Sequence, residues 1–319
     1  MLHVPYAHAV VESIGVCYGM SANNLPAAST IVGMFKSNGI KSMRLYAPDQ
    51  AALQAVGGTG IYMVVGAPND VIPNLAVSPA AAASWVRSNI QAYPKVSFRY
   101  ACIGNEVAGG ATRNLVPAMK NVHGALASAG LGHIKVTTSV SQAILGVYSP
   151  PSAGSFTAEA ASFMGPVVQF LARTRAPLMA NIYPYLAWAY NPSAMDRSYA
   201  LFTASSTVVQ DGGFGYQNLF DPTVDAFYTA MAKHSGFNVK LVVSESGGRR
   251  AAAPRRLQPT PGSTTSTSST TSGAEPRATR LPSRPTSSPC PTRTRRPAAW
   301  SSTGDSSTPT CSPSTPLTS

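Results

Sequence analysis

Two glutamates stand where a pair of carboxylates could act on one bond. Glu106 follows the apolar stretch Phe98–Gly104 through a single Asn, and Glu245 follows Lys240–Ser244. Both stretches have the length and composition of buried strands, so each glutamate lies at the carboxyl end of a predicted strand. The chain is poor in acids, with 12 Asp and Glu among 319 residues. Two facing carboxylates suit cleavage of a glycosidic bond, one as proton donor and one as nucleophile.

The other acids before residue 248 lie in polar or turn-like surroundings, which predict helix caps and surface positions. Glu12 precedes the first apolar stretch. Glu106 or Glu245 alone could equally be an acid at a helix N-terminus, where the helix dipole favours negative charge. Two such glutamates at two strand ends favour the catalytic interpretation. The acids assigned to caps and surface are Asp49, Asp70, Glu159, Asp196, Asp211, Asp221 and Asp225.

Apolar stretches alternate with helix-like stretches along residues 14–247, which predicts a parallel sheet. Seven repeats in about 235 residues favour an α/β fold of the (β/α)8 barrel type that lacks its eighth unit. An open doubly wound sheet is the alternative, but no Gly-x-Gly-x-x-Gly follows the first strand. Predicted strands cover Ile14–Tyr18, Ser42–Tyr46, Ile61–Gly66, Phe98–Gly104, Ile134–Ser139, Leu178–Tyr183 and Lys240–Ser244. Predicted helices cover Leu25–Ser37, Ala80–Ala92, Leu115–Ala129, Phe163–Arg173 and Val224–His234.

In such a barrel, catalytic groups lie where the strands end. The strands that precede Glu106 and Glu245 face each other across the barrel mouth. We expect their carboxyl groups to lie about 5–5.5 Å apart, the spacing of enzymes that retain the anomeric configuration. Aromatic residues at the same strand ends could line a sugar-binding cleft, although ordinary packing would also explain them. These aromatic residues are Tyr46, Tyr183, Tyr185 and Trp188.

Composition divides the chain into three regions. Residues 1–13 predict an N-terminal remnant, because they lack the charged start and long apolar stretch of an intact signal peptide. Residues 14–247 form the predicted barrel. Residues 248–319 hold ten Arg, 12 Pro and long Ser/Thr runs, so we expect a disordered tail. An RNA- or anion-binding arm is the alternative, but Trp300 is the tail's single aromatic residue for stacking.

The sequence gives no support for a metal, a cofactor or a membrane span. Its four cysteines form no CxxC pair and no His/Cys cluster, so no zinc site is predicted. Cys17 and Cys102 lie in apolar stretches and are predicted to be buried thiols. No apolar run reaches the roughly 20 residues that span a bilayer. We predict no nucleic acid partner and no membrane partner.

Six short motifs follow one another across residues 14–247. They are Ile14-Gly15-Val16-Cys17-Tyr18-Gly19, Met43-Arg44-Leu45-Tyr46, Ile103-Gly104-Asn105-Glu106-Val107, Ala180-Asn181-Ile182-Tyr183-Pro184-Tyr185, Tyr216-Gln217-Asn218-Leu219-Phe220-Asp221 and Val242-Val243-Ser244-Glu245-Ser246-Gly247. Together they resemble plant glycoside hydrolase family 17, the β-1,3-glucanases and related β-1,3-1,4-glucanases. The resemblance implies Glu106 as acid/base and Glu245 as nucleophile. It also implies Tyr46, Asn105 and Tyr183 near the scissile sugar.

The resemblance ends at Gly247. The family continues with Trp-Pro-Ser and later an eighth strand, whereas this chain continues with Gly248-Arg249-Arg250. GC-rich codons for Trp-Pro-Ser that lose their first base read Gly-Arg-Arg, and a shifted frame also explains Thr264–Ser272. The C-terminus therefore looks frameshifted, and we expect impaired activity.

The resemblance implies hydrolysis of internal β-1,3-glucosidic bonds in β-glucans by a retaining mechanism. A β-1,3-1,4-glucanase is one alternative, and an inactive truncated member that at most binds glucan is another. The implied partner is a β-glucan polysaccharide, bound by a monomer. The implied location is the extracellular apoplast or the vacuole, with a role in plant defence at the cell wall.

Overall fold

A computed structural model describes residues 14–21 and 24–247. Its strands, in chain order, are β1 (Gly15–Cys17), β2 (Ser42–Leu45), β3 (Tyr62–Ala67), β4 (Ser97–Asn105), β5 (Lys135–Ser141), β6 (Leu145–Val147), β7 (Ser155–Phe156), β8 (Leu178–Asn181), β9 (Val209–Asp211), β10 (Phe214–Tyr216) and β11 (Leu241–Glu245). A parallel sheet contains β1, β2, β3, β4, β5, β8 and β11 in that order, and it curves into a nearly closed barrel. The pairs β6–β7 and β9–β10 are short antiparallel ribbons.

Helices connect successive barrel strands. They are α1 (Ala28–Ser37), α2 (Gln50–Val56), α3 (Ile72–Val77), α4 (Pro79–Val86), α5 (Leu115–Ser128), α6 (Ala158–Thr174), α7 (Pro184–Tyr190), α8 (Arg197–Ala200) and α9 (Phe220–Ala232). A π-helical turn continues α4 over Arg87–Gln91, and short 3₁₀ turns cover Gly109–Asn114, Gln142–Ile144 and Pro151–Ala153. This alternation confirms the predicted (β/α)8-type barrel, of which the described residues form seven strands and the helices that follow the first six.

All seven predicted strands are present, with ends within two residues of the prediction. The helix predictions were less accurate. Helix α1 begins at Ala28, with Ala27 as an N-cap that makes no side-chain hydrogen bond, so the predicted start at Leu25 was wrong. The helices α2, α3, α7 and α8 were not predicted, because four to seven residues are too few to show a helical period.

Local sequence explains where several helices begin. The Ser78 side chain accepts a hydrogen bond from the Ala81 amide, and Pro79 occupies the first turn of α4. This cap and the proline agree with the predicted start. Asp49 accepts from the Ala52 amide at the start of α2, which confirms its predicted role as a cap.

Side chains alternate between two buried layers along the barrel strands. One set packs between sheet and helices, as Met63 and Val65 of β3 do. The other set points into the barrel, where a separate apolar cluster contains Val64, Tyr100, Cys102, Met179 and Val242. Because the side-chain period of a strand is two residues, the next interior positions lie one layer nearer the strand ends.

The first and last strands of the sheet each have one sheet neighbour among the described residues. A hydrogen bond of 3.2 Å from Cys17 Sγ on β1 to the Ser244 carbonyl on β11 links them. Cys102 is buried as predicted, but Cys17 is exposed, so its prediction as a buried thiol was wrong. The reason is its place on the edge strand β1, whose residues are half-buried or exposed.

Two predicted regions, residues 1–13 and the tail 248–319, lie outside the described residues. Within the described part of the chain, no helix is both long and apolar enough to cross a membrane.

Candidate active site

A β-bulge at the end of β11 turns Glu245 into the barrel mouth. Val242 points into the barrel, so strict alternation would place Ser244 inside and Glu245 outside. The register with β8 shifts between Val243 and Glu245, and Glu245 pairs with Asn181. Both Ser244 and Glu245 consequently contact interior side chains. Bulges of this kind re-aim side chains next to active sites.

Glu106 reaches the mouth through an unusual backbone. The register between β4 and β5 shifts between Cys102 and Asn105, and Gly104 has φ of +76°. A Cβ on Gly104 would lie 2.5 Å from Val107 Cγ2, so only glycine fits here. Glu106 itself has φ of +52°, a strained value for a residue with a side chain. Its amide donates to the Ser139 carbonyl at 2.8 Å, which holds this conformation.

Arg44 is the centre of the site's hydrogen-bond network. It points into the barrel from β2 and is 1% exposed. Its Nη1 lies 2.9 Å from Glu245 Oε1, and its Nη2 donates to Asn105 Oδ1 at 2.9 Å. The guanidinium also lies over the Tyr46 ring, with Cζ 4.6 Å from the ring centre. A guanidinium stays charged at any working pH, so Glu245 has a permanent positive neighbour.

Asn181 links the two glutamates from the end of β8. Its Oδ1 accepts from the hydroxyls of Ser139 at 2.8 Å and Ser244 at 2.7 Å. These two donors fix the amide orientation, so Nδ2 must face the opposite way. There it donates to Glu106 Oε1 at 2.8 Å and to Asn105 Oδ1 at 3.1 Å. The two glutamates thus join one network, Glu106 through Asn181 and Glu245 through Arg44.

Tyr183 holds the second oxygen of Glu245. Its hydroxyl donates to Glu245 Oε2 at 2.6 Å. Burial and the hydrogen bond to Glu245 raise the pKa of the Tyr183 hydroxyl, so it remains a donor at neutral pH. Gln142 positions this tyrosine, because its side chain accepts from the Tyr183 amide at 2.7 Å and donates to the Tyr183 carbonyl at 3.3 Å.

Tyr46 is half-buried beside Cys17. Burial and the neighbouring Cys17 raise the pKa of the Tyr46 hydroxyl. It therefore stays protonated and presents a neutral, partly apolar surface at the mouth.

All five residues predicted for the site lie at this end of the barrel. The structure brings Glu106, Glu245, Asn105 and Tyr183 into one network and stacks Tyr46 on Arg44. Neither glutamate caps a helix: Glu245 ends β11, and Glu106 precedes the 3₁₀ turn that begins at Gly109. The alternative of helix N-terminal acids is therefore wrong. Tyr185 and Trp188 are half-buried nearby on α7, with ring centres 5.8 Å apart.

Five residues of the site were not predicted from sequence: Arg44, Ser139, Gln142, Asn181 and Ser244. Arg44 could have been found, because it is a charged residue between the apolar Met43 and Leu45. A barrel buries such a strand on both faces, so a charged residue within it must face the barrel interior and find polar partners there. The same signal marks Asn181, two residues after the interior Met179.

Asp221 and Asp225 were predicted as caps or surface residues, and burial contradicts a surface position. They are 7% and 1% exposed. Tyr216 donates to Asp225 at 2.8 Å, and Asn218 donates to Asp221 at 2.8 Å. These local donors satisfy the carboxylates and allow their burial. Among the described residues, no three His, Cys, Asp or Glu side chains form a group that could hold a metal ion.

We expect Arg44→Met to lower the free energy of unfolding by about 3–5 kcal/mol, because it leaves the carboxylate of Glu245, 12% exposed, without its charged partner. Urea denaturation measures this loss. The double variant Arg44→Met/Glu245→Gln removes both charges and should be more stable than Arg44→Met alone. Simple additivity of the two single substitutions would contradict the pairing.

Comparison with known sequences places this chain among glycoside hydrolases. The sequence model of glycosyl hydrolases family 17 matches residues 14–268. Lichenase-2 of Hordeum vulgare is 85% identical over 248 residues, which cover 76% of this chain and 80% of that protein. A glucan endo-1,3-beta-glucosidase of Vitis vinifera is 48% identical over 243 residues, which cover 74% of this chain and 71% of that protein.

Solved structures give the same picture. One, from work on two plant beta-glucan endohydrolases with distinct substrate specificities, is 88% identical with a TM-score of 0.73, covering 73% of this chain and 76% of that one. CJP38, a beta-1,3-glucanase and allergen of Cryptomeria japonica pollen, is 38% identical with a TM-score of 0.71, covering 74% and 75%. The extent of the family match and these identities show that this chain belongs to glycosyl hydrolases family 17 and is by family a glycoside hydrolase acting on O-glycosyl bonds.

Proposed function

We propose that this protein cleaves internal bonds of a β-glucan by double displacement, with Glu245 as nucleophile and Glu106 as acid and base. The observation that supports these roles is the difference between the two carboxyl environments. Glu245 accepts from the Arg44 guanidinium and from the Tyr183 hydroxyl, which both stabilise a carboxylate. Glu106 accepts from a neutral amide of Asn181 and is exposed to the cleft.

The reaction follows from these roles. Glu106 gives its proton to the leaving glycosidic oxygen while Glu245 attacks the anomeric carbon, and a covalent glycosyl-enzyme forms. Glu106, now ionised, then takes a proton from water, which attacks the same carbon and releases Glu245. Attack from opposite faces in the two steps retains the anomeric configuration. The expected carboxyl separation of about 5–5.5 Å stays a prediction of this mechanism.

The remaining predicted site residues have supporting roles in this proposal. Asn105 accepts from Arg44 and from Asn181, so it orients the donors of both glutamates. Tyr183 fixes Glu245 and lies at the edge of the cleft, where its ring can contact a sugar. The Tyr46 ring stacks on the Arg44 guanidinium and offers a second aromatic surface to the sugar.

Sequence identity to the relatives supports a preference for mixed 1,3-1,4 linkages. Identity to Lichenase-2 of Hordeum vulgare is 85%, against 48% to the glucan endo-1,3-beta-glucosidase of Vitis vinifera. We therefore propose a 1,3-1,4-β-glucan as the preferred substrate, which was the alternative in the sequence interpretation. A β-1,3-glucan is the second candidate, supported by the further relatives named as endo-1,3-beta-glucosidases.

The linkage preference is testable with the full chain. We expect the rate of reducing-end release from barley 1,3-1,4-β-glucan to exceed that from laminarin by at least about tenfold, a difference of about 1.4 kcal/mol in transition-state binding. Affinity electrophoresis in gels that contain either glucan supplies a second readout that does not need turnover. Faster cleavage of laminarin, or stronger retardation in the laminarin gel, would contradict the preference.

Location and assembly are also proposals. One relative, 44% identical, is a basic vacuolar isoform from Nicotiana plumbaginifolia. This supports a vacuolar or extracellular location, and we propose a monomer that acts on glucan without a nucleic acid or membrane partner. Impaired activity of this chain and a role in plant defence stay predictions.

A further inference from the structure

A cavity opens at the end of the barrel opposite the candidate active site. Its volume is about 390 Å³, and it is lined by residues of the first half of β4 and by residues at or before the first positions of β5, β8 and β11. Lys240 lines this cavity directly before β11, and Glu245, five residues further along the chain, is the last residue of that strand. At about 3.3 Å per residue, the two positions are about 16 Å apart. A ligand held here would leave the catalytic mouth open.

Positive charge dominates the lining of this cavity. It contains four residues that carry a permanent charge and one histidine, together with Asn238 and no acid. Among the described residues, one ion pair is present, between Arg44 and Glu245 at the other end of the barrel. No carboxylate of the described residues therefore forms an ion pair with the basic residues of the cavity. The basic residues of the cavity are Arg99, His133, Lys135, Arg175 and Lys240.

Arg99 carries a donor that lacks an acceptor. Its Nη1 is buried, and the described residues supply it with no hydrogen-bond partner. The guanidinium is fixed over two rings, with Cζ 5.1 Å from the centre of Tyr62 and 5.6 Å from that of Tyr100. The two rings therefore hold the positive charge of this guanidinium beside the cavity.

The acids of the described residues are confined to one side of the barrel. All nine acids of the described residues lie at the mouth side, at strand ends, in the connections that follow them or in the first two turns of the next helix. No negative charge therefore offsets the field at the opposite end, which favours anions. These acids are Asp49, Asp70, Glu106, Glu159, Asp196, Asp211, Asp221, Asp225 and Glu245.

The spread of the charges indicates the class of anion. The strands β4, β5, β8 and β11 are consecutive neighbours in the sheet. At about 4.8 Å between neighbours, the cations extend over about 14 Å, too far for one small oxyanion to contact them all. A chain with a carboxylate on each repeating unit fits this spread, and Arg pairs well with carboxylates.

Nucleic acid fits the cavity less well. The aromatic residue in the lining is Tyr100, which is 6% exposed and offers no face for a base. We propose that this cavity binds an acidic polysaccharide through the carboxylates of consecutive uronic acid units. This goes beyond the proposed glucan hydrolysis and does not depend on it.

Polygalacturonate binding by the full chain tests the proposal. We expect Lys135→Gln/Lys240→Gln to weaken binding at low salt by at least about tenfold, because two charge-assisted contacts are lost. The matched control Lys41→Gln/Lys95→Gln removes two exposed lysines from the same end of the barrel but outside the cavity. It should weaken binding by less than about threefold, the share due to net charge alone. Thermal melting checks that all variants fold alike.

Three outcomes would overturn the proposal. One is an equal loss in the cavity variant and the control, which would mean that net charge alone is responsible. Another is binding of inorganic phosphate with the same dependence on Lys135 and Lys240 but no binding of polygalacturonate. The last is tighter binding of single-stranded RNA than of polygalacturonate at the same salt concentration.

Discussion

Glu245→Gln should lower β-glucan hydrolysis by on the order of 10⁴-fold or more, because it removes the nucleophile while keeping the shape of the side chain. Arg44 and Tyr183 donate to different oxygens of Glu245. In Gln, Arg44 can still donate to the amide oxygen, and the Tyr183 hydroxyl can rotate to accept from the amide nitrogen. The loss would therefore reflect chemistry rather than a collapsed site. Glu159→Gln is the matched control, since Glu159 is exposed at the same end of the barrel and should keep activity within about twofold.

Chemical rescue separates a nucleophile from a residue that only shapes the site. In Glu245→Ala, azide can occupy the vacated space and attack an activated β-glucoside from the face where the carboxylate stood. The product would be an α-glycosyl azide, because one displacement inverts the configuration. Formation of the β-azide, or full activity of Glu245→Gln, would refute Glu245 as the nucleophile. If the full chain acts too slowly, the same substitutions are compared in a chain whose residues 248–319 are replaced by the matching segment of Lichenase-2.

The sequence predicted the barrel well because its strands are buried on both faces. Continuous apolar stretches such as those of β3 and β4 stand out from the polar connections, and helices alternate with them. The two glutamates stood out for the same reason, as acids directly after such stretches. Period and polarity are local properties, so a single chain displays them without knowledge of the fold.

The network around the glutamates depends on contacts between distant strands. The bulge that turns Glu245 inward arises from the register between β11 and β8, which local sequence does not show. Arg44 meets Glu245 across 201 positions of sequence and Asn105 across 61. Asp225 was misplaced for a related reason: its donor Tyr216 comes from the three-residue strand β10, which is too short to predict.

The effect of Glu106→Ala should depend on the leaving group of the substrate, which identifies Glu106 as the proton donor. We expect Glu106→Ala to slow cleavage of the polysaccharide by about 10²–10⁴-fold, the usual contribution of a proton donor. An aryl glucoside with a dinitrophenolate leaving group needs no proton, so formation of its glycosyl-enzyme should be slowed far less. Glu106 is joined to the network by one hydrogen bond from the Asn181 amide. Its removal should therefore leave Glu245 and Arg44 in place.

Azide again reports the role of the residue, now with the other stereochemistry. In Glu106→Ala the nucleophile remains, so Glu245 forms the glycosyl-enzyme and azide attacks it from the face where Glu106 stood. Two displacements give a β-glycosyl azide, against the α-azide expected from Glu245→Ala. Burst kinetics with the dinitrophenyl substrate should show fast formation and slow breakdown of the intermediate, because no base activates water. Equal losses on both substrates together with an α-azide would show that Glu106 and Glu245 have been assigned the wrong way round.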